Sequence, residues 1–181
     1  MTGIQDALSL PPCCQVGFVF TRLEEAIALY TPLFGHFEIV DYGEIEGALF
    51  RGRPSPYRIR MGIGYSGDLE LELIEWVSGE TPHKEFLEAG RSGMHHLSFH
   101  VEDLDGKIDR AKALGYDAVW YHRMSEEIAY AYLERPGDPL LVELTERPWS
   151  GGNVQRPAAS APEDGEDGAG GEGEGSEEEA S

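Results

Sequence analysis

Basic residues are scarce in this chain of 181 residues, which has 14 Lys and Arg side chains against 34 Asp and Glu and a formal net charge of −20. Nucleic-acid-binding proteins need a basic patch that displaces counterions from phosphates, so this class is excluded. Hydrophobic runs are short, and none approaches the roughly 20 residues of a membrane-spanning helix. The first residues lack the basic and apolar regions of a signal peptide, so we expect a cytoplasmic protein with no membrane partner.

Cysteine is also scarce, because the chain has only Cys13 and Cys14, which are adjacent. Neighbouring cysteines cannot link distant segments, so a disulfide framework is excluded. A vicinal pair can be redox-active or bind a soft metal. Two small side chains that enter a strand are the simpler interpretation.

Aromatic residues are absent from positions 150–181, where nine acidic residues stand against the single base Arg156. A segment of this composition cannot bury enough apolar surface to offset the entropy of ordering, so we predict a disordered acidic tail. An interaction tail is an alternative, although nothing in the sequence supplies its partner. We assign residues 1–12 to an N-terminal lead and 13–149 to one domain of ordinary size.

An internal repeat organises this domain. QVGFVFTRLEEAIALYTPLFG, which starts at Gln15, matches HLSFHVEDLDGKIDRAKALG, which starts at His96. Each segment shows a short apolar alternation followed by apolar residues at helical spacing and a glycine, which indicates a strand and then a helix. The two halves also end alike, since LELELIEW matches PLLVELTE and Glu72 corresponds to Glu143.

Two further strand-like runs lie between the helix and the final strand of each half. They are FEIVDYGEIEGALF and YRIRMGIGY in the first half, and DAVWYH and EIAYAYLE in the second. The predicted fold class is therefore α+β, with tandem βαβββ modules at 13–80 and 92–147. We expect the modules to form a cupped mixed β-sheet with the helices outside, joined by a connector with a helical turn or two at HKEFLEAG.

Side-chain alternation predicts which residues face the inside of the cup. In the last strand of the first half, Leu71 and Leu73 face the helix, which leaves Glu72 on the inner face. The same reasoning places four possible metal ligands on the inner face, at positions that the repeat makes equivalent in pairs: Gln15 with His96, and Glu72 with Glu143.

These donors are one imidazole, two carboxylates and one amide oxygen, a set that suits an octahedral divalent ion with two water positions. Burying two unpaired carboxylates costs several kcal/mol each, and a cation offsets that cost. We therefore predict one divalent metal ion as cofactor, with Co, Ni, Zn, Mn and Mg all left open. Taken singly, each residue could equally be a structural strand residue.

The motifs that carry these ligands resemble the vicinal oxygen chelate superfamily of glyoxalases, bleomycin resistance proteins and dioxygenases. The resemblance covers about residues 13–147, and it is carried by Gln15-Val-Gly, ELIEW at Glu72, GMHHLSFHVEDL at 93–104 and LLVELTE around Glu143. It is strongest to methylmalonyl-CoA epimerases and glyoxalase I-like proteins. The resemblance implies paired βαβββ modules around a divalent metal, a small-molecule substrate and a homodimer.

The chemistry implied by this resemblance is proton abstraction next to a carbonyl, by a metal-dependent isomerase, epimerase or lyase for which an acyl thioester is one candidate substrate. Glu143 is the first candidate base, because in the family a metal-bound Glu can leave the ion to take the proton. Glu44 and Glu46 lie in the region that supplies a second base in epimerases, although exposed hairpin carboxylates fit equally well. His100 is a candidate for positioning the substrate, and so is Tyr132.

Some positions depart from the resemblance. Epimerases usually have His where this chain has Gln15, whereas eukaryotic-type glyoxalases have Gln there. Those glyoxalases hold glutathione through an Arg and an Asn, and the matching residues here are Val19 and Trp76, so glutathione is not the expected ligand.

Two further residue groups leave alternatives open. Arginines in the first half can receive phosphate or carboxylate groups, or they can form a solvated strand edge; they are Arg51, Arg53, Arg58 and Arg60. Aromatic residues could make the cup a non-catalytic binding module for an aromatic or antibiotic-like ligand, or they could be core residues. These are Trp76, Trp120, Tyr130 and Tyr132.

Overall fold

A computed structural model describes residues 3–148; Met1, Thr2 and positions 149–181, with the predicted acidic tail, lie outside the described residues. The helices are α1 (Ile4–Leu8), α2 (Leu23–Phe34), α3 (Pro82–Glu88) and α4 (Leu104–Lys112). The strands of the first half are β1 (Gln15–Phe20), β2 (Glu38–Val40), β3 (Leu49–Phe50), β4 (Arg53–Pro54), β5 (Arg58–Ser66) and β6 (Leu69–Ser78). Those of the second half are β7 (Gly93–His100), β8 (Asp117–Arg123), β9 (Ala129–Glu134) and β10 (Leu141–Glu146).

Helices α2 and α4 occupy equivalent places in the repeat, and local sequence fixes their ends. Leu23 and Ala26 form the buried face of α2, which ends before Gly35 at φ 84°. Helix α4 begins after Asp103, whose carboxylate accepts a hydrogen bond from the backbone N–H of Gly106. Such a side-chain cap satisfies an N–H that has no partner within the helix.

The described strands form one mixed sheet in the order β2-β5-β6-β1-β7-β10-β9-β8-β3-β4. Strand β1 runs parallel to β6 and antiparallel to β7, and β7 runs parallel to β10. The two halves therefore join along β1 and β7 within a single chain. This α+β architecture confirms the predicted fold class and places the four strands with the predicted ligands side by side.

The predicted alternation is confirmed in both halves. In the first, Phe18, Leu71 and Leu73 pack with α2 in one cluster, whereas Val19 and Ile74 belong to a different cluster on the inner face of the sheet. In the second half, Phe99 of β7 and Val142 and Leu144 of β10 pack with α4 in the same way, together with Val101, which directly follows β7. Polar residues between these positions consequently face the inside of the cup.

The structure differs from the prediction at the run FEIVDYGEIEGALF, which is not one strand. Its beginning pairs with β5 as β2, but Leu49 and Phe50 cross to pair with Tyr121 and Trp120 of β8. Two glycines at positive φ, Gly43 and Gly47, interrupt the extended backbone that a continuous strand needs. Strands β3 and β4 of the first half therefore extend the sheet of the second half beyond β8.

Two helices lie outside the repeat. The connector helix α3 confirms the expectation for HKEFLEAG, and Thr81 caps it by accepting from the N–H of Lys84. Helix α1 was not predicted, and it lies within the segment that we assigned to a lead. Its residue Leu8 is buried in the cluster formed around α4. Among residues 3–148, no helix is long and apolar enough to cross a membrane.

Candidate metal centre and cavity

The structure brings the four predicted ligands around one imidazole nitrogen. His96 Nε2 lies 3.5 Å from Glu72 Oε2 and 3.6 Å from Glu143 Oε2. The same nitrogen lies 3.4 Å from Gln15 Oε1. Each residue comes from a different strand of the sheet centre, so the juxtaposition depends on the pairing of β1, β6, β7 and β10.

A glycine makes room for the imidazole. Gly17 pairs with His96 across β1 and β7. A Cβ atom added at Gly17 would lie 1.9 Å from His96 Cε1, which is far inside van der Waals contact. His96 is fully buried, and its ring therefore lies directly against the neighbouring backbone.

The amide of Gln15 is oriented by a residue that sequence reasoning did not assign to the site. Gln15 Nε2 donates to Glu70 Oε1 at 2.6 Å, and Tyr65 donates to the other Glu70 oxygen at 3.0 Å. Because the amide nitrogen is engaged by Glu70, the amide oxygen faces His96. Glu70 lies two residues before Glu72 in β6, so strand alternation places it on the same inner face, which is the signal that could have found it.

The second nitrogen of His96 meets another buried histidine, which sequence reasoning also missed. The Nδ1 atoms of His95 and His96 are 3.1 Å apart, so one of them donates to the other. Burial lowers the pKa of His95, and its ring donates to the carbonyl of Pro82. A neutral His95 has one ring proton, so when that proton is donated to Pro82 the other nitrogen accepts from His96 Nδ1, which fixes the orientation of the His96 ring.

The electrostatics of the site favour a cation. Burial raises the pKa of Glu143, and the charge of Glu72 adds to that effect while His96 opposes it. Desolvation acts to lower the pKa of His96, but Glu143 and Glu72 outweigh it and the net direction is upward. Two carboxylates around one imidazole leave excess negative charge that a divalent ion can balance.

The donor set has the chemistry of a divalent-ion site, because imidazole, carboxylate and amide oxygen all ligate such ions, but its donors stand further apart than bound ligands do. Among residues 3–148, no three His, Cys, Asp or Glu side chains stand close enough together to form a finished ion site. Bonds of about 2.1 Å in octahedral geometry place neighbouring donors about 3 Å apart. The three distances from His96 Nε2, which are 3.4 to 3.6 Å, exceed this by about half an ångström.

A cavity of about 180 Å³ lies over this centre, and Gln15, Glu72 and Glu143 belong to its lining. It has the volume of about six liquid waters, which is room for a small acyl group. Much of the remaining lining is aromatic or apolar: Ile45, Tyr57, Ile59, Met61, Ile74, Trp120, Tyr130 and Tyr132. Polar chemistry is therefore concentrated at one part of a largely apolar cavity.

The other predicted catalytic residues divide into two groups. His100 lines the cavity, as does Tyr132. Glu44 and Glu46 are exposed, and the structure does not bring them into the cavity lining; Ile45 between them lines it instead. Because Ile45 forms a bridge with Tyr57, alternation turns its two neighbours away from the interior.

The four arginines Arg51, Arg53, Arg58 and Arg60 do not belong to the lining of this cavity, and three of them are paired with carboxylates. Arg51 contacts Glu85 and Glu134. Arg58 pairs with Asp41, and Arg60 contacts Glu24 and Glu75. A different cation, Arg147, follows β10 and lines the cavity at an exposed position.

The remaining aromatic candidates also divide. Trp120 is a buried residue that lines the cavity beside Tyr130 and Tyr132. Trp76 does not belong to the lining, and its indole N–H donates to the carbonyl of Gly79 at 2.9 Å. Cys14 lines the cavity, and burial raises the pKa of its thiol. Cys13 and Cys14 are free thiols.

Comparison with solved structures shows the same fold at low identity. A hypothetical protein from Bacillus halodurans superposes with a TM-score of 0.54 at 18% identity, covering 76% of this chain and 94% of that one. Methylmalonyl-CoA epimerase from Mycobacterium tuberculosis gives 0.53 at 20% identity, with 77% and 90% covered. A variant of the Streptomyces coelicolor methylmalonyl-CoA epimerase in complex with 2-nitronate-propionyl-CoA gives 0.53 at 18%, with 77% and 99% covered.

Comparison at the sequence level gives one family. No curated protein matches the chain. The family description "Glyoxalase/Bleomycin resistance protein/Dioxygenase superfamily" matches residues 14–132, which is well over half of the chain. That range includes Glu72, His96 and most of the sheet. The chain therefore belongs to the glyoxalase/bleomycin resistance protein/dioxygenase superfamily.

Proposed function

We propose that this chain is a metal-dependent isomerase or epimerase that removes a proton from the carbon next to a carbonyl group of an acyl thioester. One observation carries the proposal: two carboxylates from equivalent strands, buried Glu143 and partly buried Glu72, lie on either side of one buried imidazole beside a cavity. The fold likeness to methylmalonyl-CoA epimerases, one of them in complex with methylmalonyl-CoA, supports the choice of substrate class.

In this proposal Gln15, Glu72, His96 and Glu143 hold one divalent ion, with its identity open among Co, Ni, Zn, Mn and Mg. When bound, the ion supplies positive charge to the carbonyl oxygen that becomes negative as the α-proton leaves. Glu70 orients Gln15 and His95 orients His96, each through a hydrogen bond to the ligand's side chain. These two are positioning residues in this scheme.

Glu143 is the proposed base. It lines the cavity, it is 7% exposed, and it accepts a hydrogen bond from Ser98, which holds the carboxylate in place. A buried and oriented carboxylate is suited to general-base catalysis because little reorganisation is needed during the transfer. His100, on the same cavity lining, is proposed to position the substrate.

The cavity is large enough for the acyl end of a thioester and too small for a complete coenzyme A. The polar remainder of such a substrate must extend toward solvent. Arg147 stands at an exposed part of the lining and can pair with a carboxylate or phosphate there. A homodimer and a cytoplasmic location stay predictions, and light scattering on the purified protein tests the former.

A second candidate function is a non-catalytic binding module for an aromatic ligand. The aromatic lining favours it, since Tyr57 and Trp120 meet edge to face at 4.8 Å and Tyr130 and Tyr132 line the same cavity. Such a module would bind an aromatic compound and quench Trp120 fluorescence. It would not exchange an α-proton of any thioester.

The deciding experiment measures metal content and then the interconversion of methylmalonyl-CoA epimers in D₂O. We expect one divalent ion per chain, together with epimer interconversion and uptake of deuterium at the α carbon. Glu143→Gln keeps an oxygen donor but cannot accept a proton, so interconversion should fall about a hundred- to ten-thousand-fold. Glu127→Gln, at an exposed turn position, is the matched control and should match the wild type.

Two outcomes contradict parts of this proposal. Wild-type protein that exchanges no α-proton while an aromatic ligand quenches Trp120 would favour the binding module. Interconversion that is unchanged in Glu143→Gln would overturn the base assignment but leave the function itself in place.

A further inference from the structure

Three side chains in one wall of the cavity are hydrogen-bonded in series. The Tyr57 and Tyr130 hydroxyls bond to each other, and the Tyr130 hydroxyl lies 2.9 Å from His122 Nδ1. Tyr57 precedes β5, Tyr130 lies in β9 and His122 lies in β8. The series therefore joins the two halves of the chain, and we call it the tyrosine relay.

The direction of the tyrosine relay follows from the far side of the imidazole. His122 donates to the backbone carbonyl of Glu46, and its Nε2 lies close to Gly47. With the ring proton on Nε2, Nδ1 is an acceptor. Tyr130 therefore donates to His122, and Tyr57 donates to Tyr130. Burial lowers the pKa of His122, so the ring is neutral and able to accept a proton at neutral pH.

The inner end of the tyrosine relay reaches the proposed reaction space. Tyr57 and Tyr130 line the same cavity as Glu143, whereas His122 is 3% exposed and stands behind them. Glu143 comes from the sheet centre, and the relay comes from strands β8 and β9 and the residue before β5. The carboxylates of Glu44 and Glu46 do not line the cavity. Glu46 contributes only its carbonyl, as the acceptor that orients His122.

We propose that the Tyr57–Tyr130–His122 series is the second proton-transfer group of this cavity, acting on the α carbon from a different wall than Glu143. This inference rests on the proposed function. It assigns to the relay the task that the sequence had suggested for Glu44 and Glu46. The reaction class is the interconversion of two epimers, which needs a proton removed on one face of the carbon and delivered on the other.

Each proton that leaves one group in the proposed epimerisation is accepted by another. For one epimer the α C–H bond breaks, and its electron pair becomes the enolate of the thioester. The α-proton goes to the Tyr57 oxygen while the Tyr57 proton moves to Tyr130 and the Tyr130 proton moves to His122 Nδ1. Glu143 in its acid form then delivers a proton to the carbon from its own side. For the other epimer Glu143 takes the proton, and the imidazolium of His122 returns its proton through both tyrosines.

Packing fixes the atoms that take part. Tyr57 is 2% exposed and lies edge to face with Trp120 at 4.8 Å. His122 packs edge to face with Tyr130 at 5.4 Å. Hydrogen-bonded atoms held in this way exchange protons with small displacements, which is the condition for efficient general acid–base catalysis.

The test follows each methylmalonyl-CoA epimer separately in D₂O with the full-length protein. In Tyr57→Phe and Tyr130→Phe we expect α-proton exchange of one epimer to stay within about threefold of the wild type. Exchange of the other epimer, and interconversion, should fall about a hundred- to ten-thousand-fold. Tyr121→Phe is the matched control, because Tyr121 lies beside His122 in β8 but contacts Arg123 instead of the relay. Its two exchange rates should match those of the wild type.

A second measurement does not depend on turnover. Nitrogen-15 NMR of the histidines should show His122 as the Nε2–H tautomer with Nδ1 accepting, and the Nδ1 signal should shift in Tyr130→Phe but not in Tyr121→Phe. Melting temperature and metal content verify that each variant is folded and loaded.

The outcomes separate the relay from the function. Wild-type exchange of both epimers that persists in Tyr57→Phe and Tyr130→Phe would overturn the relay and leave the proposed function standing. A His122 that carries its proton on Nδ1 would also overturn the relay, whatever the activity. Wild-type protein that exchanges neither epimer would overturn the proposed function and the relay's role with it.

Discussion

Gln15 and His96 occupy equivalent positions in the two halves of the chain, but the residues that pair with them across β1 and β7 differ in size. Gln15 pairs with Ser98 between β1 and β7, whereas His96 pairs with Gly17. A Cβ at Gly17 would collide with the His96 ring, while Ser98 carries a side chain that contacts Thr145 at 3.1 Å. The repeat determines the backbone position of each ligand. The size of the ligand's side chain then determines which residue can pair with it: the His96 ring needs a glycine, whereas Gln15 tolerates a serine.

The halves also differ in how they hold that ligand. His96 is fully buried and is met by the imidazole of His95, whereas Gln15 is partly exposed and is met by the carboxylate of Glu70. Equivalent backbone positions thus support a rigid buried donor in one half and a more open, tethered donor in the other. The comparison predicts unequal consequences for matched substitutions.

The largest expected effect comes from removing one ligand of each half together. In a His96→Ala/Glu72→Ala variant the imidazole and one carboxylate are lost, so the purified protein should contain no stoichiometric metal by elemental analysis. The fold should persist, because the excess negative charge of the site falls at the same time. Full metal occupancy in this variant would rule out the assignment of the site.

Next in size is the pair of substitutions across the first ligands. Gly17→Ala forces the His96 ring to move, and we expect a loss of about 1–3 kcal/mol in the free energy of unfolding, as for overpacked cores. Metal content should fall with it. Ser98→Ala, the equivalent position in the other half, removes only a hydroxyl and should cost about 1 kcal/mol. Equal denaturation midpoints for the two variants would show that the halves do not differ in this way.

A smaller effect should follow loss of the Gln15 tether. In Glu70→Ala the amide of Gln15 can rotate, and we expect metal affinity to fall about 10–100-fold, as when residues that orient metal ligands are removed. Glu70→Gln keeps an acceptor and should recover most of the affinity. Titration calorimetry with the metal that copurifies measures both, with Glu127→Ala as the exposed control. An affinity in Glu70→Ala equal to that of the control would deny Glu70 a positioning role.

The smallest effect is expected outside the repeat. Truncation after Trp149 removes only polar, glycine-rich and acidic sequence, so melting temperature and metal-dependent activity should both be unchanged. A large loss of melting temperature or activity would show that residues after Trp149, and not only the two halves of the repeat, contribute to the site.

The sequence predicted the fold and the convergence of four residues because both depend on the periodic spacing of apolar residues and on the equivalent positions of the internal repeat. Alternation put Glu72 on the inner face, and the repeat then put Glu143 beside it. The glycine after the first helical run marked the end of α2 at Gly35. These signals are short in range and survive in a single sequence.

What the sequence did not predict depends on contacts between the halves. The crossing of β3 to β8, the bond between Tyr57 and Tyr130 and the contact of α1 with α4 each join segments with no shared period. Glu44 and Glu46 were chosen by resemblance alone, and the turn at Gly43 and Gly47 sets which side chain of that segment faces inward. His95 was visible only as a neighbour of His96.

The pairing of β3 with β8 also determines when the cavity wall can form during synthesis of the chain. Phe50 is made seventy positions before its partner Trp120, so the first half leaves the ribosome with β3 paired only with β4. The cavity wall cannot close until β8 has emerged, and pairings of such long separation are the slow ones in folding. A nascent chain arrested before residue 120 should expose the residues that later line the cavity, because the interior of the domain forms only after β8 has been made.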